Sequence, residues 1–253
     1  MSGHSKWKTI KHKKGAADAK RGILFTKLAW EITIAVKKGG GTDPTINYQL
    51  RLAIDKARSN NMPSDNIDRA VKRAGGTGDG TESLEEITYE GYGPGGAAII
   101  LNSVTSNRNR TAAEVRSTFT KTGATLGESG CVSWNFETKG IITLGTTTSN
   151  SEELALAAID GGAEDVSIED PYIEVYTLPE TLQSVKENLE SLGIPIETAE
   201  LSMVPKTTIV LSEKEAEQTL RLLDLLEELD DSQKVYTNAD FPDNVLEKYR
   251  GEI

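Results

Sequence analysis

Between Ile141 and Met203 the apolar pattern of this 253-residue chain changes period four times, and few folds accommodate such a succession. Ile141–Leu144 reads as a strand and Ser151–Asp160 as a helix. Val166–Ile168 and Tyr172–Tyr176 return to strand patterns. Leu182, Val185, Leu189 and Leu192 then follow one helical face, and Ile196–Met203 reads as a last strand. The order β-α-β-β-α-β is that of the ferredoxin-like split βαβ arrangement.

The flanking patterns are of a different kind. Leu24, Leu28, Ile32 and Ala35, widened by Phe25 and Val36, predict a helix from Gly22 that ends at Lys37-Lys38-Gly39-Gly40-Gly41. Asp43-Pro44 predicts the start of a second helix, Asp as N-cap and Pro at the first helical position, with Ile46, Leu50, Ile54 and Ala57 inward. Met62-Pro63 ends it. A third helix is expected from a Ser64 or Asp65 cap through Ile67, Val71 and Ala74. Past the Gly75–Gly80 linker, Ile87–Tyr92 and Ala97–Val104 read as strands about a Gly93-Pro94-Gly95-Gly96 turn. A helix capped by Asn107 or Asn109 should point Ala112, Val115 and Phe119 inward, and Cys131–Phe136 reads as a strand with Val132, Trp134 and Phe136 on one face. A further β-α-β follows, from Thr207–Leu211 through the Leu-rich helix Glu213–Leu229 to Lys234–Thr237.

The expected fold class is therefore α+β and multidomain. Residues 1–78 form a basic tail plus three-helix bundle, and 79–137 with 205–253 form a discontinuous α/β domain. Residues 138–204 form a ferredoxin-like domain inserted in it. A hydrophobic content of 37% supports packed cores. The longest apolar run, Ala97–Leu101, is far short of the ~20 residues that cross a bilayer, so no membrane is expected. The single cysteine, Cys131, and the absence of a secretory pattern fit a cytoplasmic protein, here expected to be a monomer.

The net charge of −11 conceals a separation. Residues 1–75 hold 16 Lys/Arg against 6 Asp/Glu, a balance of +10, whereas residues 76–253 hold 12 against 33, a balance of −21. Such asymmetry points to nucleic acid as the partner of the basic part. His4, Lys6, Trp7, Lys8, Lys11, His12, Lys13, Lys14, Lys20 and Arg21 are the candidate contacts in the tail. Lys27, Arg51, Arg58, Arg69, Lys72 and Arg73 extend the set over the bundle. Lysines neutralise phosphates and release counterions, and Trp7 can stack on a base or staple onto the bundle. A secondary basic site, Arg108, Arg110 and Arg116, gathers about a helix N-terminus, where an anion site and a capping turn are both compatible with the residues.

An enzyme is not expected. Both histidines lie in the tail, Cys131 lies in a strand pattern, and no nucleophile stands beside a base. His4 and His12, eight apart without a nearby cysteine, do not match zinc spacing, and neither a metal nor a cofactor is expected. Gly91–Gly96 lies between two strands and contains Pro94, so it reads as a hairpin rather than a phosphate loop. Glu85-Glu86 and Glu227-Glu228 with Asp230-Asp231 read as solvated acids.

Several short stretches together resemble the YebC/PmpR family over essentially the whole chain. They are Gly3-His4-Ser5-Lys6-Trp7 with Ile10-Lys11-His12-Lys13-Lys14, Asp18-Ala19-Lys20-Arg21-Gly22, Asn61-Met62-Pro63-Ser64-Asp65-Asn66-Ile67 and Tyr89-Glu90-Gly91-Tyr92-Gly93-Pro94-Gly95-Gly96. Asn107-Arg108-Asn109-Arg110-Thr111, Gly127-Glu128-Ser129-Gly130-Cys131-Val132 and Leu226-Glu227-Glu228-Leu229-Asp230-Asp231 complete the set, with Leu229 where relatives often carry a polar residue. The resemblance implies three domains with a ferredoxin-like unit inserted in the second, and it transfers no catalytic residue. It implies a DNA-binding transcriptional regulator, or, as for the mitochondrial relatives, a ribosome-associated translation factor contacting structured RNA and assisting elongation on difficult messages.

Overall fold

A computed structural model describes residues 18–76, 84–145, 151–169 and 172–251. The chain is a mixed α/β protein with eight α-helices and mainly antiparallel sheets among the described residues. It divides into two compact units: residues 1–136 together with 205–253, and residues 137–204.

The first unit opens with three helices, α1 (Asp18–Lys38), α2 (Tyr48–Ser59) and α3 (Ser64–Ala74). Helix α1 begins four residues ahead of the expected Gly22, so the predicted tail is shorter. Its stripe Leu28, Ile32, Ala35 and Val36 is buried against Leu50, Ile54, Ala57, Met62 and Ile67. Helix α2 does not start at Asp43-Pro44. The Asp43 carboxylate instead accepts the Thr45 N–H and hydroxyl at 2.8 and 2.7 Å, which makes a separate turn. The N-cap is Asn47, 1% exposed, whose Oδ1 accepts the Leu50 N–H at 3.0 Å. Its amide donates to the Ala35 and Gly41 carbonyls at 2.9 and 2.8 Å, satisfying the C-terminal end of α1. That corner is filled by the amide, so Ile46, expected inward, is 76% exposed. Gly39 is required beside it, because a Cβ there would lie 2.0 Å from Asn47 Oδ1. At α3 the cap position is Pro63, not Ser64 or Asp65; its carbonyl accepts the Asn66 and Ile67 amides at 2.9 and 3.2 Å.

Beyond the helices, β1 (Glu85–Tyr92) and β2 (Ala98–Thr105) form a hairpin in register Tyr92 to Ala98. The turn closes through Gly93 N–H to Ala97 carbonyl at 2.7 Å, with Gly95 and Gly96 at φ of 70° and 81°, a region glycine enters without steric cost. Helix α4 (Arg108–Lys121) takes Asn107 as its cap. Val115 and Phe119 are buried as expected, while Thr111 is buried and Ala112 is only half-buried. The strand β3 (Thr125–Leu126) and β9 (Ser232–Thr237) complete a sheet of order β3-β1-β2-β9. Helix α7 (Glu213–Glu228) joins α4 on it, and Ile99, Leu101, Val115, Phe119, Leu220, Leu223 and Val235 share one core.

Two expected strands differ. Cys131–Phe136 is a turn followed by a single 3-10 turn at Ser133–Asn135, and β4 (Phe136–Gly145) begins only at Phe136. The cause is Glu90, treated below. The second is Thr207–Leu211, of which only β8 (Ile209–Val210) is a strand; it pairs in parallel with β10 (Ala239–Asp240), outside the main sheet. Thr207 is held by side-chain amides instead of a ladder: it donates to Asn135 Oδ1 at 3.1 Å, and its carbonyl accepts from Asn135 and Asn238 at 3.0 and 3.2 Å. Helix α8 (Asp243–Gly251) follows, with Val245 and Leu246 in the same core.

The second unit contains most of β4, then α5 (Ser151–Asp160), β5 (Asp165–Glu169), β6 (Tyr172–Thr177), α6 (Leu182–Ser191) and β7 (Ile196–Pro205). Its sheet has the order β5-β6-β4-β7, with β6 antiparallel to both β4 and β5. Ile142, Leu144, Ile173, Val175, Leu182, Val185 and Leu189 are fully buried or nearly so.

Candidate nucleic-acid interface

The basic residues of the bundle divide into those engaged by the fold and those facing solvent. Lys27 donates to the Glu227 carbonyl at 2.6 Å, so this cation caps the C-terminal end of α7, where a positive charge is favoured by the helix dipole. Arg51 donates from Nε to the Pro44 carbonyl at 3.1 Å and from Nη2 to that of Thr45 at 3.3 Å, holding the α1–α2 connection. Lys56, half-buried, pairs with Glu31 at 2.9 Å. Lys38 pairs with Glu86 across to β1. Of the residues expected to contact nucleic acid, Lys27 and Arg51 therefore have structural work; Arg58, Arg69 and Arg73 are exposed, and Lys72 is exposed with an interaction of its own. Arg58 lies 3.8 Å from Asp55. Arg69, Lys72 and Arg73 occupy the last two turns of α3, spaced i, i+3 and i+4, so they share one helix face. His4, Lys6, Trp7, Lys8, Lys11, His12, Lys13 and Lys14 lie outside the described residues, and Lys20 and Arg21 fall in the first turn of α1.

The secondary basic site is not three equivalent arginines. Arg108 and Arg116 are exposed on α4. Arg110 reaches Asp231 instead, with Nη2 at 3.0 and 2.9 Å from its two carboxylate oxygens. Asp231 is 1% exposed and also accepts the hydroxyls of Thr105, at 3.1 Å, and Thr111. The Asn107 N–H donates to Thr105 Oγ1 at 2.8 Å, and the Arg110 N–H to Asn107 Oδ1 at 3.2 Å. The Asn107–Thr111 stretch is thus a capping turn anchored on a buried acid. The pattern of the 226–231 stretch predicts solvated acids; Asp231 corrects that expectation, because hydroxyls and a guanidinium take the place of its water.

Sequence reasoning missed a second buried acid. Glu90 points beneath the Gly127–Val132 loop, where Oε1 accepts the Gly130 N–H at 2.8 Å and Oε2 accepts those of Val132 and Ser133 at 2.9 and 2.8 Å. These bonds curl the backbone out of the extended form expected for Cys131–Phe136. Burial opposes ionisation of Glu90, but the three backbone donors outweigh it and hold its carboxyl below the ordinary value of 4.5. A depressed folded value means the stabilisation is present in full above about pH 4.5 and is lost as pH falls through the lower folded value. Glu90→Gln should cost about 2–3 kcal/mol at pH 7, because the amide turns a donor toward one of these N–H groups. Urea midpoints of the two proteins should converge as pH falls from the ordinary carboxyl value of 4.5 through the lower folded value. A gap that stays constant over that range would refute the assignment.

Among the described residues no cluster of three or more His, Cys, Asp and Glu side chains could hold a metal ion. No helix among them is long and apolar enough to cross a membrane. Burial, then the charge of Glu90, pushes the Cys131 thiol up, away from the thiolate form a nucleophile needs.

Two family models match this chain: one described as the TACO1/YebC protein N-terminal domain, over residues 5–77, and one as the TACO1/YebC second and third domain, over residues 84–239. A probable transcriptional regulatory protein of Dehalococcoides mccartyi is 54% identical over 252 residues, covering 100% of both chains. One of Geobacter sulfurreducens is 53% identical over 248 residues, covering 98% of this chain and 99% of the relative. The crystal structure of a conserved hypothetical protein from Aquifex aeolicus superposes with a TM-score of 0.84 at 48% identity, covering 92% of this chain and 96% of that one. With both its helical N-terminal segment and its sheet-bearing body matched, the chain belongs to the YebC/PmpR family.

Proposed function

We propose that this protein is a non-enzymatic, cytoplasmic regulator of gene expression that binds nucleic acid through its basic N-terminal domain. The observation that carries the reading is the charge separation: +10 over residues 1–75 against −21 over the remainder. A remainder of that sign repels phosphate and leaves contact to residues 1–75. The relatives' description as probable transcriptional regulatory proteins supports duplex DNA as the polymer. In this reading the helical N-terminal domain grips the polymer, and the chain continues as a discontinuous α/β domain, 79–137 with 205–253, into which a ferredoxin-like unit is inserted at 138–204.

A second reading has an observation of its own. The exposed Arg69 and Arg73 stand with Asp65 and Asp68, and the one amide of that helix, Asn66, is half-buried in its first turn. A surface in which cations outnumber amides grips backbone more than it reads sequence, which suits a ribosome-associated factor on structured RNA. Crosslinking in cells followed by sequencing of bound DNA and RNA separates the two. Promoter DNA without ribosomal RNA supports regulation of transcription, and ribosomal RNA without promoter DNA overturns it.

The α3 face gives a measurable expectation. Replacing Arg69, Lys72 and Arg73 together with alanine should reduce the slope of log affinity against log salt by about 2–3 units on duplex DNA, at ~0.9 per phosphate contact. All three are exposed and exposed ion pairs contribute little, so the thermal midpoint should stay near that of the native protein. An unchanged slope would remove α3 from the interface.

A further inference from the structure

The acidity of this chain is concentrated in one compact unit. Residues 137–204 hold 14 Asp/Glu against 2 Lys, a balance of −12, whereas all other residues hold 25 against 26 Lys/Arg and balance at +1. Both lysines of the unit are half-buried and engaged: Lys139 lies 3.3 Å from Glu137 and 3.6 Å from Glu164, and Lys186 lies 3.7 Å from Glu190. On this unit helix α5 turns two of its three largest apolar side chains outward. Its inner side carries buried Ala158 with half-buried Leu154 and Ala155, while Leu156 is 67% exposed and Ile159 is 45% exposed. A helix packed for stability alone buries its large apolar side chains and turns its alanines out. Leu156 and Ile159 stand i, i+3 on one face, and exposed Glu152, Glu153 and Asp160 fall within the same third of the helix circumference. The neighbouring helix adds no exposed cation. Asn188 of α6 donates its amide to the Gly161 carbonyl at 3.0 Å, just past the end of α5, and α6 exposes Glu187 and Glu190.

We propose that the outer face of α5 docks a cationic amphipathic segment of a partner protein. Apolar side chains of that segment seat on Leu156 and Ile159, and its Lys or Arg side chains meet Glu152, Glu153 and Asp160. The apolar pair supplies the contact, and the charge of the unit selects the occupant. A nucleic acid or an anionic membrane surface would bring phosphate against a balance of −12. Two copies meeting through this face would set Glu152, Glu153 and Asp160 against the same three acids, a like-charge juxtaposition that disfavours pairing. Asp160 adds a local reason. A carboxylate in the last turn of a helix meets the negative pole of the dipole, and no basic residue stands in that turn, so an incoming cation relieves both. The inserted unit thereby has a partner of its own, whichever polymer the N-terminal segment holds.

The test measures fluorescence anisotropy of labelled peptides against the full chain. The probes are an amphipathic leucine–lysine peptide, a serine–lysine peptide of the same length and charge, and a peptide of residues 1–17 of this chain. The leucine–lysine peptide should bind saturably, and the serine–lysine peptide at least tenfold more weakly. Leu156→Ser with Ile159→Ser should weaken the leucine–lysine peptide roughly tenfold. Glu152→Gln, Glu153→Gln and Asp160→Asn together should flatten the salt dependence of its affinity. All five positions are exposed, so both variants should keep the native thermal midpoint. Equal affinity for the serine–lysine peptide, native affinity in the serine variant, or no binding at all would overturn the proposal. Displacement of the leucine–lysine peptide by the 1–17 peptide at lower concentration would overturn it in favour of the chain's own basic segment.

Discussion

Replacing Lys6, Lys8, Lys11, Lys13 and Lys14 with alanine should flatten the salt dependence of duplex-DNA binding by about 4–5 units of slope, at ~0.9 per phosphate neutralised. Each charge so removed costs the counterions its phosphate contact would release, and the loss should be similar on unrelated sequences, because lysine reads phosphate rather than bases. The distribution of cations in the bundle sharpens the comparison. Lys27 is held by the Glu227 carbonyl and Arg51 by those of Pro44 and Thr45, so alanine at either should change stability more than slope. The five-lysine protein should melt near the native one, since the described cores are built of apolar side chains and lysine is seldom buried. Fluorescence anisotropy with a labelled duplex from 50 to 300 mM salt would provide the slopes. An unchanged slope with the five lysines gone would place the contact elsewhere and remove the arm from the function.

The helices are legible in the sequence wherever periodicity alone decides. Leu28, Ile32 and Ala35 mark the buried side of α1, Val115 and Phe119 that of α4, and the run 213–229 that of α7, because a helix buries the stripe its own spacing creates. The errors come where a distant polar side chain fixes the backbone. Asp43-Pro44 has every local feature of a helix start, yet α2 waits for Asn47, whose amide is claimed by Ala35 and Gly41. The alternation of Val132, Trp134 and Phe136 reads as a strand, but Glu90, 40 residues earlier in the chain than Gly130, collects its backbone amides and turns Trp134 outward. The charge separation is legible by counting. Which cations of the bundle remain at the surface is not, because the acceptors of Lys27 and Arg51 are backbone carbonyls that any residue supplies. Buried acids such as Glu90 and Asp231 are equally hard to see in sequence, where an acid in a turn is normally solvated.

Asp231→Ala should destabilise the fold more than Glu90→Gln does, by about 3–4 kcal/mol. The carboxylate is 1% exposed and gathers the Thr105 and Thr111 hydroxyls, themselves buried, together with the Arg110 guanidinium. Its backbone carbonyl meanwhile accepts the Val104 N–H at 2.9 Å, which ties the start of β9 to β2. Alanine leaves two buried hydroxyls competing for the acceptors that remain, Thr111 turning to the Asn107 carbonyl at 3.1 Å. Asparagine keeps one oxygen acceptor and nearly the same volume, so its cost should be intermediate, about 2 kcal/mol. Arg110→Ala should cost least of the three, because its side chain is 51% exposed and water replaces part of the lost pairing. Urea denaturation should therefore rank Asp231→Ala below Asp231→Asn and both below Arg110→Ala, the first with its midpoint down by about 1–2 M for a slope of ~2–3 kcal/mol/M. If Arg110→Ala falls as far as Asp231→Ala, the ion pair rather than the hydroxyl network holds this corner. The same variant bears on binding: an Arg110 released from Asp231 could reach phosphate with Arg108 and Arg116, adding about one unit to the salt slope on duplex DNA. A slope unchanged in Asp231→Ala at a temperature where it stays folded would confine nucleic-acid contact to the N-terminal segment.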